Sequence, residues 1–225
     1  MSPSTPWKPT GNPAAPLEDR PVGIVLAGGA SRRFGRDKAA LSVERGGAAE
    51  TLAERALRRL SEVCADVVVA DAGRGVVPGA RSLADGPGRG PAAGLLGAAG
   101  AFPARSLLVL ACDLPAVPAA LLARLVKVAA DGGADLALPR WREGAEPLAA
   151  IGRRVASGKY SLYDLAEEPD LRVAFLSEID LRPFGPPEEI FVNVNTPEDL
   201  AWWSARATDE SASSPENSSG RPEGS

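Results

Sequence analysis

The sequence predicts an α/β fold: one domain with a mainly parallel sheet and helices on both faces. Three observations carry this. Continuous apolar runs at residues 22–27, 66–70 and 106–111 have the length and β-branched or leucine content of strands buried on both faces. Amphipathic or alanine-rich stretches of helical length separate them. The chain has 225 residues and is 44% apolar, enough for one full core.

The elements follow in order. Residues 1–20 hold five prolines and no periodicity, and residues 207–225 are Ser, Glu, Gly and Pro with almost nothing apolar. Both read as disordered tails, so the folded domain is expected at 21–206. Residues 22–27 form the first strand. Residues 51–62 place Leu52, Ala56 and Leu60 at helical spacing behind Thr51, a favourable N-cap. Residues 66–70 are the second strand. A helix at 91–101 opens on Pro91, a favoured first-turn residue. Residues 106–111 are the third long strand. A helix at 118–130 presents Leu121, Leu122, Leu125 and Val128 as its apolar stripe. Shorter strands are expected near 134–138, 147–151, 172–176 and 190–192, and a last helix at 197–206 carries Trp202 and Trp203. Such sheets bind ligands at the carboxyl ends of their strands, where the strand order switches direction.

Composition narrows the chemistry. Net charge is −4, and four acids against Arg221 put −3 of it in residues 208–225. A nearly neutral body argues against nucleic-acid binding. No apolar run approaches a membrane span, and residues 1–20 lack the pattern of a signal peptide. The two cysteines, Cys64 and Cys112, suit a reducing cytoplasm as small buried residues. There is no histidine. Ser-His-Asp and Cys-His catalysis and His-ligated metals are thereby excluded. Carboxylates, lysine, arginine, backbone amides and hard oxygen-bound metals such as magnesium remain.

Four segments carry candidate chemistry. In "VGIVLAGGASRRFGRDK" (22–38), Gly28 and Gly29 let backbone amides approach an anion, and Arg32, Arg33, Arg36 and Lys38 crowd in behind them. That combination points to a polyphosphate, although the spacing is neither a Walker A loop nor a dinucleotide fingerprint; a tight turn with a solvated basic loop is the alternative. "DGPGRGPAAG" (85–94) leads into a helix N-terminus whose amides can hold phosphate or a carbonyl, or is simply a loop and helix start. In "LLVLACDLP" (107–115), Asp113 ends a buried strand, where a carboxylate can hold magnesium against substrate phosphates or cap a helix. In "FVNVNTPEDL" (191–200), Thr196, Pro197 and Asp199 start a helix, whereas Asn193 and Asn195 alternate along an extended segment and face one side.

Together and in this order, "LAGGASRRFGRDKAAL", "GRGPAAG", "ACDLP" and "NVNTPEDL", with "EPLAAIGRR" at 146–154, resemble the molybdenum cofactor guanylyltransferases. The similarity spans about residues 22–203. It implies a Rossmann-like nucleotidyltransferase domain that uses GTP with Mg2+ and molybdenum-molybdopterin as acceptor. Molybdenum-insertion and molybdoenzyme chaperone proteins are implied as partners. Leu26, Ala27, Gly28 and Gly29 would meet the nucleotide through the backbone, with Arg33 and Lys38 on the triphosphate. Asp85 would contact the nucleoside, Gly90 and Gly94 would shape their loop, and Asp113 would hold magnesium and GTP. Asn193 and Asn195 would face the pterin. Ala70 and Asp71 stand where members often have an asparagine that touches the nucleoside. A cytidylyltransferase, a sugar-phosphate nucleotidyltransferase or a non-catalytic nucleotide-binding relative of the same fold remain the alternatives.

Overall fold

The computed structural model describes residues 20–28, 38–45, 48–87, 90–141, 144–145, 148–151 and 169–209. The proposed tails lie outside these residues apart from their inner ends.

The centre of the sheet is strand β1 (Val22–Leu26), every residue of which is buried. It pairs in parallel with β4 (Asp66–Ala70) on one edge and β6 (Leu107–Ala111) on the other. A short β5 (Arg81–Leu83) extends the β4 edge in parallel. Beyond β6 lie β9 (Leu148–Ile151), β7 (Leu136–Trp141) and β10 (Val173–Leu176), giving the order β10-β7-β9-β6-β1-β4-β5, with β8 (Gly144–Ala145) paired to β7. β7 and β10 are parallel, while β9 runs antiparallel to both β6 and β7. The expected mainly parallel sheet is present, with one reversed strand in it. Chain order turns from one side of β1 to the other between β4 and β6, which makes the carboxyl ends of β1 and β6 the natural crevice.

Alternate side chains along the central strands feed two cores. Val25, Val69, Leu108 and Leu110 pack with α1 (Leu52–Ser61) and α3 (Ala119–Asp131). Ile24, Leu26, Val68 and Val109 pack with α2 (Pro91–Ala101) on the opposite face. Helices therefore cover both faces. Thr51 caps α1 in a reciprocal box: the Glu54 amide donates to Thr51 Oγ1, and the Thr51 amide donates to the Glu54 carboxylate at 2.7 Å.

Some elements differ from expectation. The hairpin β2 (Ser42–Arg45) and β3 (Ala48–Thr51), and strand β5, carry too few apolar residues to show a strand period. Residues 190–192 are not a strand. Pro187 starts a short helix α5 (Pro187–Ile190), whose last turn is closed by the Phe191 amide donating to the Pro187 carbonyl. Phe191 and Val194 are buried without joining a ladder, so their hydrophobicity reports core packing alone. A short α4 (Glu178–Leu181) precedes this segment, and α6 (Pro197–Asp209) follows it. No helix among the described residues is long and apolar enough to cross a membrane.

Cys64 is fully buried beside β1. Burial, with the nearby Asp66 carboxylate, pushes its thiol up from 9.0 to about 12. Between those values the unfolded chain releases a proton that the folded chain keeps, so folding stability should fall as pH rises through that window. Urea unfolding at several pH values across it should show the decline, and Cys64→Ala should make it less steep.

Candidate active site

The site is assembled at the carboxyl ends of β1, β4 and β6. Register places Leu26, Ala70 and Ala111 abreast. The Ala27 amide donates to the Ala70 carbonyl at 3.0 Å, and the Cys112 amide donates to the Leu26 carbonyl at 3.1 Å. Leu26 and Ala27 are themselves buried, with their side chains in the core. Gly28 is the first described residue past this ladder and is exposed. Among the described residues, a Cβ at Gly28 would meet the Ala70 carbonyl alone, at an ordinary 3.7 Å. Packing among the described residues does not demand glycine there. Gly29 and Arg33 lie outside the described residues. Lys38 opens a short 3-10 turn, Lys38–Ala40.

On the β4 side, Asp71 is completely buried. Its carboxylate accepts from the Gly73 amide at 3.1 Å, the Val76 amide at 2.8 Å and the Ser82 hydroxyl. The side chain is thus a loop clamp of the kind Asp provides in turns. The same loop sends Arg74 back to β1: Nε donates to the Asp71 carbonyl at 2.8 Å, and a terminal nitrogen donates to the Ala27 carbonyl at 2.6 Å. Arg74 thereby ties the β4 loop to the residue preceding Gly28. Sequence reading missed it, because an arginine among glycines carries no periodic signal.

Asp85 is exposed on a loop seated on α2. The Gly86 amide donates to the Ala93 carbonyl at 2.7 Å. A Cβ on Gly97 would stand 2.3 Å from the Ala84 carbonyl oxygen, so loop and helix meet backbone to backbone. Gly94 serves the neighbouring contact: a Cβ there would stand 3.1 Å from Ala70 Cβ, 3.5 Å from Leu26 Cδ2 and 3.7 Å from Asp85 Oδ1. Gly94 thus brings α2, Leu26 and Asp85 together. Gly90, the N-cap of α2, has φ 72°, a conformation that favours glycine. Gly97 was missed although the spacing of Gly94, Gly97 and Gly100 on one helix is visible in the sequence.

On the β6 side, Asp113 is half-buried, two residues past the strand. Its carbonyl accepts from the Val194 amide at 2.9 Å. Asn193 and Asn195 are exposed on either side of buried Val194, so the expected alternation is present in a segment that is not a strand. This bond lays the asparagine pair beside the Asp113 loop. The helix after it starts as expected, with the Asp199 carboxylate accepting from the Thr196 amide at 2.8 Å and Thr196 Oγ1 accepting from the Asp199 amide at 3.1 Å.

A model of the MobA-like NTP transferase domain matches residues 23–178, which spans every strand of the crevice. This chain belongs to that family. A probable molybdenum cofactor guanylyltransferase of Pelotomaculum thermopropionicum is 36% identical over 195 residues, covering 80% of this chain and 89% of that protein. One of Opitutus terrae is 38% identical over 197 residues, covering 79% and 92%. Among solved structures, the molybdopterin-guanine dinucleotide biosynthesis protein A of Archaeoglobus fulgidus superimposes with a TM-score of 0.68 at 26% identity, covering 84% of this chain and 99% of that one. The resemblance read from the sequence motifs and the fold expected from it are both borne out.

The glycine contacts of this MobA-like domain make opposite demands on one helix. Gly97→Ala drives a Cβ into the Ala84 carbonyl and is expected to cost about 1–3 kcal/mol in denaturant unfolding. Gly100 has open space around it. Gly100→Ala is expected to stabilise by up to about 1 kcal/mol through helix propensity.

Proposed function

We propose that this protein transfers GMP from GTP to the terminal phosphate of molybdenum-molybdopterin and releases pyrophosphate. The observation that carries the reading is the bond from Val194 to Asp113. It brings the asparagine pair, proposed for the acceptor, beside the carboxylate proposed for the nucleotide phosphates, next to the β1 glycine turn. The similarity to guanylyltransferases over most of the chain supplies the substrates.

The acceptor phosphate is already anionic and needs no strong base, in keeping with a chain that has no histidine. An acceptor phosphate oxygen forms a bond to the α-phosphorus of GTP. The bond from that phosphorus to the bridging oxygen of the β-phosphate breaks, and pyrophosphate leaves with the electron pair. The obstacle is repulsion between anions, so positioned charge and geometry should dominate. Backbone groups at Leu26, Ala27, Gly28 and Gly29 would seat the nucleotide, with Asp85 on the nucleoside and the Gly90–Gly94 turn beneath it. Arg33 and Lys38 would stabilise the charge on the leaving pyrophosphate. Asn193 and Asn195 would orient the acceptor.

Asp113 fits Mg2+: it offers hard carboxylate oxygens at the crevice, and this ion is commonly held by one or two carboxylates plus substrate phosphates. Among the described residues no three His, Cys, Asp or Glu side chains cluster, so phosphates and water would complete its shell. When bound, Mg2+ would neutralise charge on the reacting phosphates.

Pyrophosphate release is the direct test, with purified protein, magnesium, molybdenum-loaded molybdopterin and GTP, CTP, ATP or UTP in turn. Release with GTP alone is expected; release with CTP alone would overturn the guanine assignment. Lys38→Ala and Asp113→Asn are each expected to slow turnover by ~10²–10³, the usual cost of losing one preorganised contact. Near-normal turnover of either would remove that residue from the mechanism.

A further inference from the structure

Arg55 does not belong where it lies by pattern. It sits on α1 between Leu52 and Ala56 and is 1% exposed, among the largest fully buried side chains. Three groups from different elements hold it. Its Nε donates to the Pro115 carbonyl at 2.7 Å. A terminal nitrogen pairs with Glu50 on β3 at 2.7 Å. Its guanidinium lies over the Trp203 ring of α6, 5.0 Å from the centroid. Burial pushes the Glu50 carboxyl up, but hydrogen bonds and charge from Arg58 and Arg55 outweigh it and hold that carboxyl below its ordinary value. The pair therefore stays ionised.

These contacts close a ring beside the β6 end of the crevice. Pro115 follows Asp113 by two residues. The Asp113 carbonyl accepts from Val194, between Asn193 and Asn195. Thr196 and Asp199 then start α6, which returns Trp203 to Arg55. A leucine or methionine would fill the α1 stripe without the cost of burying a charge. What an aliphatic residue lacks is the planar fork, which bonds a loop carbonyl and a carboxylate while stacking on an aromatic ring.

We infer that Arg55 is a positioning residue that sets the Asp113 loop against the Asn193–Asn195 segment, and so fixes the acceptor relative to the nucleotide phosphates. The inference rests on the nucleotidyl-transfer reading for its catalytic consequence. Arg55 itself lies behind the crevice and touches no reacting atom. Most contacts that seat Gly28 and the Asp85 loop come from β4 and α2 and lie outside the ring, whereas Asp113 lies within it, so the acceptor should feel a change at Arg55 more than the nucleotide does.

The test uses Arg55→Lys, which keeps a positive charge near Glu50 but loses the fork and the planar stack. With full-length protein, kcat should fall by about 10–10²-fold, since a small misplacement of reacting groups has that effect. The KM for the acceptor should rise by more than the KM for GTP, which Gly28 and the Asp85 loop also serve from outside the ring. A smaller folded fraction alone would lower kcat and leave both KM values unchanged. Amide hydrogen exchange supplies a readout independent of activity: protection should be lost at Val194 and across 112–117 and retained in β4 and α2. If Arg55→Lys does not fold, Trp203→Leu opens the same ring while leaving the Arg55–Glu50 pair, and the same pattern is expected. Unchanged kcat, an equal rise in the GTP KM, or exchange that rises uniformly or not at all at Val194 would overturn the inference. If the unmodified protein releases no pyrophosphate with any nucleotide, the transfer reading fails, and the exchange pattern still decides whether Arg55 holds the two segments together.

Discussion

Strand β1 is hydrogen-bonded along both edges and covered on both faces, so it can neither slip in register nor end anywhere but beside Ala70 and Ala111. A one-residue shift would exchange the two sets of alternating side chains between cores that differ in their helices. The loops leaving β1, β4 and β6 therefore depart from one line. Gly28, Asp71 and Asp113 owe their neighbourhood to that register, before any side chain contributes. Polar chemistry follows directly after a fully apolar strand because the ladder ends there and its next amides must find other partners.

Around this line, charged side chains act on backbone as much as on one another. Asp71 gathers the Gly73 and Val76 amides, Arg74 reaches the Ala27 carbonyl, and Arg55 reaches the Pro115 carbonyl. Loops rich in glycine and proline have few side chains with which to pack. A buried or half-buried ion that bonds several peptide groups supplies the order that packing cannot. The described loops after β4 and β6 are thus pinned from within the protein, as preorganisation against the proposed polyphosphate would require.

Much of this was legible in the sequence. The three long strands, α1 with its Thr51 cap, α2 from Pro91 and α6 from Thr196 announce themselves through apolar runs, periodicity and capping residues. Asp113 was legible as a candidate by its place at the end of an apolar strand, the Asn193–Asn195 pair by its alternation along an extended segment, and Gly28 by its place after the first strand. Other features were hidden for physical reasons. Residues 190–192 imitate a strand because a buried coil and a buried strand need the same side chains. The β2–β3 hairpin has no apolar period because its pairing is mostly backbone. The asparagine expected after β4 is replaced by Asp71, whose role is visible only once Ser82, eleven residues on, is seen beside it. Arg55 had a signal that could have been read: a cation three residues after Leu52 and one before Ala56 lies on the apolar stripe of its own helix.

Strand β9 is the one element that runs against both of its neighbours in the main sheet. It divides the sheet into two parallel blocks, β5-β4-β1-β6 on one side and β7-β10 on the other. Because β9 opposes both neighbours, β6 and β7 point the same way, and the connection through α3 is a crossover that skips one strand, to which the usual handedness rule applies. The two antiparallel ladders hold β6 and β7 one strand apart, so within the sheet a displacement of β7 or β10 reaches the glycine end of β1 only through β9 and β6.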